Sequence, residues 1–510
     1  MAACLGFALY TDHAWEDFFI TFRSSLNLAT GHGLVFQVGE RVHTFTSPLG
    51  TLLPALFAVG GGDATTRALW CFRLVSAAAL GGAIWMAARA MLRDGVTPFV
   101  LGAICALWAL DAKTVDFAIN GQEAALMIFF IVLTWHALVS EASVGRLALG
   151  CAGLQWTRPD GCVFFAALAL AWLAFGGGTA RRARLRKLLG AIALAIALYL
   201  PWLIFAWAYY GSPVPHTILA KVSHYGPGEL IRALTLYPWR LLFGHTALHD
   251  LFRPTYFYFG GWPEALAWTS RLLAVGGALA WAWPAVRPAG RVAAVAFFLG
   301  GFYVEYIPRS PWYYPAWESL AFVAWGFLLD AGWRATVRAP GPVRVVASTL
   351  VAAQFAVLIA VAWQTRTQQA IVENGQRVVL GQWLREHAAP DERVYLEPLG
   401  YIGFYSGLKM LDYPGLCSPE VVAARRAGAK PHAQIIAALR PEWLVLRADQ
   451  VAGVRLEMPR LLTDSYRLAR VFDVRAALDA ITLLPGRGYL EFDAQYFVFA
   501  RAGSTGGNKL

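Results

Sequence analysis

Leu188-Leu-Gly-Ala-Ile-Ala-Leu-Ala-Ile-Ala-Leu-Tyr-Leu-Pro-Trp-Leu-Ile-Phe-Ala-Trp-Ala-Tyr209 runs without a charged residue, directly behind Arg181-Arg-Ala-Arg-Leu-Arg-Lys187. A helix rises about 1.5 Å per residue, so roughly 20 residues cross the ~30 Å of bilayer hydrocarbon, and this run is long enough. Backbone polar groups in lipid must be satisfied within the protein, which leaves helices or a closed barrel. The run is continuous rather than alternating, as is Val343 to Trp363, and both read as helices.

The rest of the chain agrees. Of 510 residues, 58% are hydrophobic and 15% charged, with a mean hydropathy of +0.49, too apolar for a water-soluble fold. The net charge of +11 does not mark a nucleic-acid binder, because of where the cations lie. Thirteen basic residues occupy five short gaps: Arg89 and Arg93; Arg146; Arg181 to Lys187; Arg287 and Arg291; Arg334, Arg338 and Arg344. Few acids accompany them, mainly Asp94 and Glu141. Lys and Arg in short loops resist translocation, so these gaps read as cytoplasmic.

Predicted spans fall at about 68–88, 97–110, 119–139, 146–157, 161–175, 188–210, 266–286, 291–306, 316–332 and 343–364. Every basic gap then lies on one side. Met1 to Tyr10 reaches only about 15 Å, so it is a short, tilted first helix or its start lies upstream. No basic n-region marks it as a cleavable signal peptide. The expectation is an α-helical polytopic protein of the cytoplasmic (inner) membrane. It has about eleven spans over residues 1–365, a cytoplasmic N-terminus and an external C-terminus. A first external loop, 11–66, holds an amphipathic stretch (Phe18, Phe19, Phe22, Leu26, Leu28) and a short helix from Pro48 to about Val59.

Composition changes after Trp363. Residues 366–510 carry 18 Lys or Arg and 15 Asp or Glu, a balanced soluble surface. A helical pattern (Val378, Leu380, Trp383, Leu384) precedes short runs such as Val394-Tyr-Leu, Trp443-Leu-Val-Leu and Tyr496-Phe-Val-Phe. This predicts a soluble α/β extracytoplasmic (periplasmic) domain over 366–503, with a disordered tail at 504–510. Cys4, Cys71, Cys105, Cys151 and Cys162 sit in apolar segments and Cys417 in the soluble region, with neither a disulfide framework nor metal-ligand spacing.

Ionisable groups beside a membrane are costly and mark candidate sites. They gather on the external side in four clusters. In Trp15-Glu16-Asp17, two neighbouring carboxylates near a low-dielectric boundary can differ in pKa, leaving one ionised as a general base or cation stabiliser; helix capping is the plainer reading. In Asn120-Gly-Gln122-Glu123 a polar trio opens an apolar helix, where the helix dipole alone accounts for the charge. Arg158 and Asp160, in Trp156-Thr-Arg-Pro-Asp-Gly161, either line a pocket or pair across the turn. Lys221 and His216 in Pro215-His-Thr-Ile-Leu-Ala-Lys221, with Arg309 in Pro308-Arg-Ser-Pro-Trp-Tyr-Tyr-Pro315, are outward cations among aromatics. They suit a lipid-borne phosphate, or else an interfacial belt. No nucleotide-type Gly-rich loop, HExxH, CxxC or GxSxG occurs, so a soluble nucleotide-sugar donor has no support.

The run Glu16-Asp17-Phe-Phe-Ile-Thr-Phe-Arg23-Ser-Ser-Leu-Asn27-Leu-Ala-Thr-Gly31-His32-Gly33-Leu-Val-Phe36-Gln-Val-Gly39-Glu40-Arg41-Val, with Thr46-Ser47-Pro48-Leu, resembles the first external loop of GT-C glycosyltransferases. Within these it resembles the terminal β-(1→2)-arabinofuranosyltransferases of mycobacterial cell walls and their relatives. Asn120-Gly-Gln-Glu-Ala-Ala-Leu, Thr157-Arg-Pro-Asp-Gly, Pro215-His-Thr-Ile-Leu-Ala-Lys and Glu397-Pro-Leu-Gly-Tyr-Ile-Gly-Phe-Tyr-Ser-Gly follow the same pattern in order. The resemblance implies a GT-C fold, catalysis by acidic residues of the first external loop, and a decaprenyl- or undecaprenyl-phosphate pentose as donor. Relatives usually carry Asp-Asp where this chain has Glu16-Asp17, so the role falls on Asp17. The implied catalytic pair is Asp17 with Glu16, and Lys221, Arg309 and His216 meet the donor phosphate. Glu123, Asn120, Gln122, Arg158, Asp160, Arg23 and His32 form the sugar and acceptor pocket. No metal-ligand set is evident, although two carboxylates leave room for a divalent cation. The partners implied are the bilayer, the lipid-linked sugar and a glycan or protein acceptor, with no nucleic acid. Competing readings are a mannosyl- or aminoarabinosyl-transferase acting on protein or lipid A, a lipid-linked sugar flippase, which would place its polar groups near the midplane, and a non-catalytic scaffold.

Overall fold

The computed structural model describes residues 1–177, 180–221, 227–306, 310–336 and 340–503. The chain enters through α1 (Ala2–Thr11) and turns into the amphipathic α2 (Glu16–Ala29), which buries Phe18, Phe19 and Phe22. Ser47 caps α3 (Pro48–Ala58) by accepting the Gly50 amide at 2.9 Å, and Asp63 caps α4 (Ala64–Arg93) through the amides of Thr65 and Thr66. Six helices follow: α5 (Pro98–Ala109), α6 (Ala112–Ile119), α7 (Ala124–Val139), α8 (Val144–Thr157), α9 (Gly161–Phe175) and α10 (Arg181–Tyr210). After the short α11 (His216–Lys221) come α12 (Pro227–Phe243), α13 (Glu264–Leu279), α14 (Pro288–Tyr306), α15 (Tyr314–Thr336) and α16 (Pro340–Thr367).

Among the described residues, four helical stretches are long and apolar enough to cross a bilayer: Ala64–Arg93, Arg181–Tyr210, Glu264–Ala282 and Gly341–His387. α5 and α6, bent by 53° at their junction, make a fifth if they form one broken span. Leu189, Ile196, Ile204 and Trp207 stand exposed on α10, as do Val345, Val346, Phe355 and Ile359 on α16. In water each would forgo about 1.5–3 kcal/mol of burial, whereas against lipid tails it forgoes little. This is the surface of a helical membrane protein.

The sequence reading runs one helix over about 119–139. The structure instead breaks the chain at Asn120 to Glu123 and adds the buried α6 before the break. Gly121 turns the chain at φ +92°, and a Cβ there would lie 2.6 Å from the Phe18 ring. Hydropathy passes over α6 because Lys113 and Asp116 interrupt it. Both are buried with partners. Lys113 donates to the carbonyls of Asp250 (3.0 Å) and Leu251 and lies 3.7 Å from Glu318, while Asp116 accepts from Asn120 (2.6 Å) and Thr255 (3.1 Å). α12 also falls outside every predicted helix.

Gly341–His387 is one unbroken helical rod, α16 passing through a π-helical stretch, Gln368–Val378, into α17 (Val379–His387). It delivers the chain to a five-stranded mixed sheet. The strands are β1 (Arg393–Leu396), β2 (Lys409–Asp412), β3 (Trp443–Arg447), β4 (Tyr466–Asp473) and β5 (Gln495–Arg501), in the order β2-β1-β3-β5-β4. β1 runs parallel to β2 and β3, with Tyr395 opposite Leu411 and Leu444; β5 is antiparallel to β3 and β4, with Val498 opposite Val445. Both faces of the sheet are covered. Leu380, Trp383 and Leu384 of α17 pack on one, and Val421, Ile435 and Ile436 on the other. α18 (Gly400–Ser406), between β1 and β2, lies against α2, where the Phe19 and Tyr401 rings are 4.3 Å apart. Thus α2 is held between the helical bundle and the sheet domain.

Candidate active site

A cavity of about 370 Å³ opens at that junction. The start of α2 lends Asp17 and Thr21, the turn before α7 lends Gln122 and Glu123, and the turn joining α8 to α9 lends Arg158 and Asp160. α11 adds Lys221, α14 adds Tyr303, and the sheet domain adds Leu416.

The charges are arranged unequally. Arg158 donates to Glu123 at 2.7 Å and to Asp160 at 2.8 Å, its guanidinium lies over the Tyr313 ring, and Tyr303 donates to Asp160 at 2.7 Å. Arg158 therefore does both things the sequence allowed: it pairs across the turn and lines the pocket. Lys221 is exposed and pairs with no carboxylate among the described residues. The Asp17 carboxylate likewise accepts no hydrogen bond among them. Burial raises its pKa, Lys221 draws it down, Glu123 pushes it up and Arg158 again lowers it, leaving it above the ordinary carboxylate value.

Two supports from the sheet domain reach the cavity. Asp412 accepts the amides of Gly415 (3.2 Å) and Cys417 (2.9 Å) and the Ser418 hydroxyl (2.8 Å), which shapes the loop that presents Leu416. From α19 (Pro419–Arg426), Arg425 donates to the carbonyls of Ala220 (2.9 Å) and Pro414 (2.8 Å), tying α11 down beside Lys221.

Of the residues singled out in the sequence, Asp17, Gln122, Glu123, Arg158, Asp160 and Lys221 meet at this cavity. The other described ones lie elsewhere. Glu16 turns toward the sheet domain, where burial lifts its carboxyl to about 7 against the pull of Arg377 and of the Gly400 amide. The Asn120 side chain is buried on Asp116, and its carbonyl accepts the Trp15 amide at 3.0 Å. Arg23 stacks on Phe36 and donates to the carbonyls of Gly403, Gly407 and Leu408, fastening α2 to the sheet domain. His32 is exposed and bonds Thr30. His216 opens α11 outside the cavity lining, half-buried, with its pKa lowered by burial. Arg309 lies outside the described residues. No group of three His, Cys, Asp or Glu side chains among the described residues is arranged to hold a metal ion.

Sequence reasoning missed Tyr303 and Leu416, and it missed the buried cluster of Arg377, Glu373, Asp493 and Arg447. Tyr303 ends an apolar run that reads as a plain span. The cluster's charges look like ordinary surface until the fold brings residues 373 and 493 together. Burial alone would raise the Asp493 carboxyl, but Arg377 and Arg447 hold it at about 2.

Over 226 residues the chain is 30% identical to the terminal beta-(1->2)-arabinofuranosyltransferase of Corynebacterium glutamicum, and over 223 residues it is 29% identical to the protein of that name from Mycobacterium tuberculosis. Each match takes in 40% of this chain and about a third of the relative, 32% and 34% respectively. The relatives bear the name that the motifs suggested. In three dimensions the apo structure of ArnT from Cupriavidus metallidurans superposes with a TM-score of 0.52 at 13% identity, covering 95% of this chain and 93% of ArnT. The chain shares ArnT's fold. ArnT bound to undecaprenyl phosphate matches equally, at a TM-score of 0.52 and 12% identity over 99% of this chain and 97% of ArnT. Residues 364–498 match a family described as a domain of unknown function, DUF8728, which covers α17 and most of the sheet. The fold found is thus ArnT's, a mostly helical bundle joined to a small sheet domain.

Proposed function

We propose that this protein is an integral-membrane GT-C glycosyltransferase. It transfers a pentose, arabinofuranose, from a polyprenyl-phosphate donor to a glycan or glycoprotein acceptor on the extracytoplasmic face. The observation that carries the reading is the cavity in which a partly buried carboxylate, Asp17, faces a cation, Lys221, neither of them paired among the described residues. The relatives' name supports the sugar, and ArnT's complex with undecaprenyl phosphate supports a lipid-borne donor.

In this mechanism Asp17, ionised, takes the proton of the acceptor hydroxyl as it attacks the anomeric carbon. The bond to the carrier phosphate breaks with oxocarbenium character, and Lys221, with Arg309, meets the negative charge developing on the departing phosphate. Glu123, Asp160 and Gln122 accept or donate to sugar hydroxyls, with Arg158 fixing the two carboxylates. About eleven spans, a cytoplasmic N-terminus and an extracytoplasmic sheet domain complete the proposal, since the basic gaps then all face inward.

The test is transfer by the purified full chain from radiolabelled polyprenyl-phosphate arabinose, with polyprenyl-phosphate mannose and aminoarabinose run in parallel, onto arabinan, protein and lipid A acceptors. Labelled product from the arabinose donor alone is expected. Product from another donor replaces the sugar assignment, and donor movement across proteoliposomes without product replaces the enzyme with a flippase.

A further inference from the structure

Successive residues of a helix point about 100° apart, and the two carboxylates at the start of α2 separate accordingly. Asp17 lines the cavity while Glu16 faces away from it. One oxygen of Glu16 accepts the Gly400 amide at 3.0 Å and the other lies 3.4 Å from Arg377. Arg377 is itself immobilised, 2% exposed, donating to both oxygens of Glu373 at 2.9 Å and to Asp493 at 2.6 Å. Gly400 permits this approach, because a Cβ there would overlap the carbonyl oxygen of Glu16. From the opposite side the Trp15 amide reaches Asn120, and Phe18 packs on Gly121. The first turn of α2 is thus gripped between the sheet domain and the α6–α7 turn, and Asp17 is the next residue along.

We infer that Glu16 is a positioning residue: by accepting the Gly400 amide it anchors the first turn of α2, beside Arg377, so that Asp17 faces the cavity. This rests on the reading of Asp17 as the reacting carboxylate. Arg377 keeps Glu373 and Asp493 when Glu16 is neutralised, so its charge does not depend on Glu16. The anchoring contact is the acceptor oxygen, which a glutamine retains.

The experiment measures kcat and donor KM for four full-length variants. Glu16→Gln is expected to stay within about threefold of wild type. Glu16→Ala, which lets the turn drift, is expected to lose kcat by roughly 10- to 100-fold with donor KM unchanged, since misplacement of a reacting group by about 1 Å costs up to 10². If Glu16→Ala fails to reach the membrane, Glu16→Asp takes its place: one methylene shorter, it withdraws the acceptor from Gly400 and loses kcat likewise. Asp17→Asn is the reference. An inactive Asp17→Asn beside an active Glu16→Gln supports the assignment, whereas Glu16→Gln as inactive as Asp17→Asn, or Glu16→Ala with unchanged kcat, overturns it. An active Asp17→Asn instead removes the catalytic reading on which the assignment depends.

Discussion

Lys221→Met separates a donor-binding cation from an interfacial one. Lys221 lies exposed on the cavity rim with no ion pair among the described residues, so the substitution costs the fold little. Among the described residues, what remains is a cavity lined by Asp17, Glu123 and Asp160 against Arg158, which is already engaged by two carboxylates. A charge-assisted hydrogen bond contributes about 1.5–3 kcal/mol, or roughly 10- to 150-fold in an equilibrium constant. Loss of Lys221 also leaves the incoming phosphate facing surplus negative charge. The expected result is a rise of at least about tenfold in donor KM, and a matching rise in the inhibition constant of free polyprenyl phosphate. The assay is initial-rate transfer across a donor titration in detergent, repeated with polyprenyl phosphate as competitor. An unchanged donor KM together with an unchanged inhibition constant refutes the assignment and returns Lys221 to the interfacial belt.

Arg158→Met strips the guanidinium from Glu123 and Asp160, leaving Asp160 only Tyr303 among the described residues, and the melting temperature in detergent is expected to fall by an amount equivalent to about 2–4 kcal/mol, reduced toward the lower figure because all three groups retain some exposure; an unchanged melt contradicts the pairing. Because burial raises Asp17, the acid limb of kcat/KM is expected above the usual aspartate value of about 4, with activity lost as pH falls through it; a pH–rate profile flat from pH 4 to 8 contradicts this. Glu16 favours its protonated form in the fold, at about 7 against an ordinary 4.5, so its contribution to stability is complete below 4.5 and is lost as pH rises through 7. Glu16→Gln, permanently neutral, is therefore expected to melt higher than wild type at pH 8 and equally at pH 4.5, and the same difference at both pH values contradicts the cause given.

Much of this was legible in the sequence, for physical reasons. Continuous apolar runs such as Leu188 to Tyr209 report their own helix, because nothing but a helix satisfies that backbone in lipid. Asp17, Glu123, Arg158 and Lys221 announced themselves as ionisable groups beside hydrophobic stretches, where charge is costly. What stayed hidden depends on contacts distant in sequence. α6 carries Lys113 and Asp116, whose burial makes sense only once Glu318, Asp250 and Thr255 close around them. The helical step separates Glu16 from Asp17, but what Glu16 meets is set by Arg377, which arrives more than 350 residues later on the rod that leaves the bundle. Leu416 reaches the cavity on a loop shaped by Asp412, and a leucine in a loop gives no local signal.

The central claim is that the Asp17 carboxylate performs the transfer. Single-turnover transfer from radiolabelled polyprenyl-phosphate arabinose by Asp17→Asn, with donor binding followed in parallel, tests it most directly. The account predicts transfer lowered about 10³-fold with donor affinity and detergent melting retained. Transfer within tenfold of wild type contradicts it.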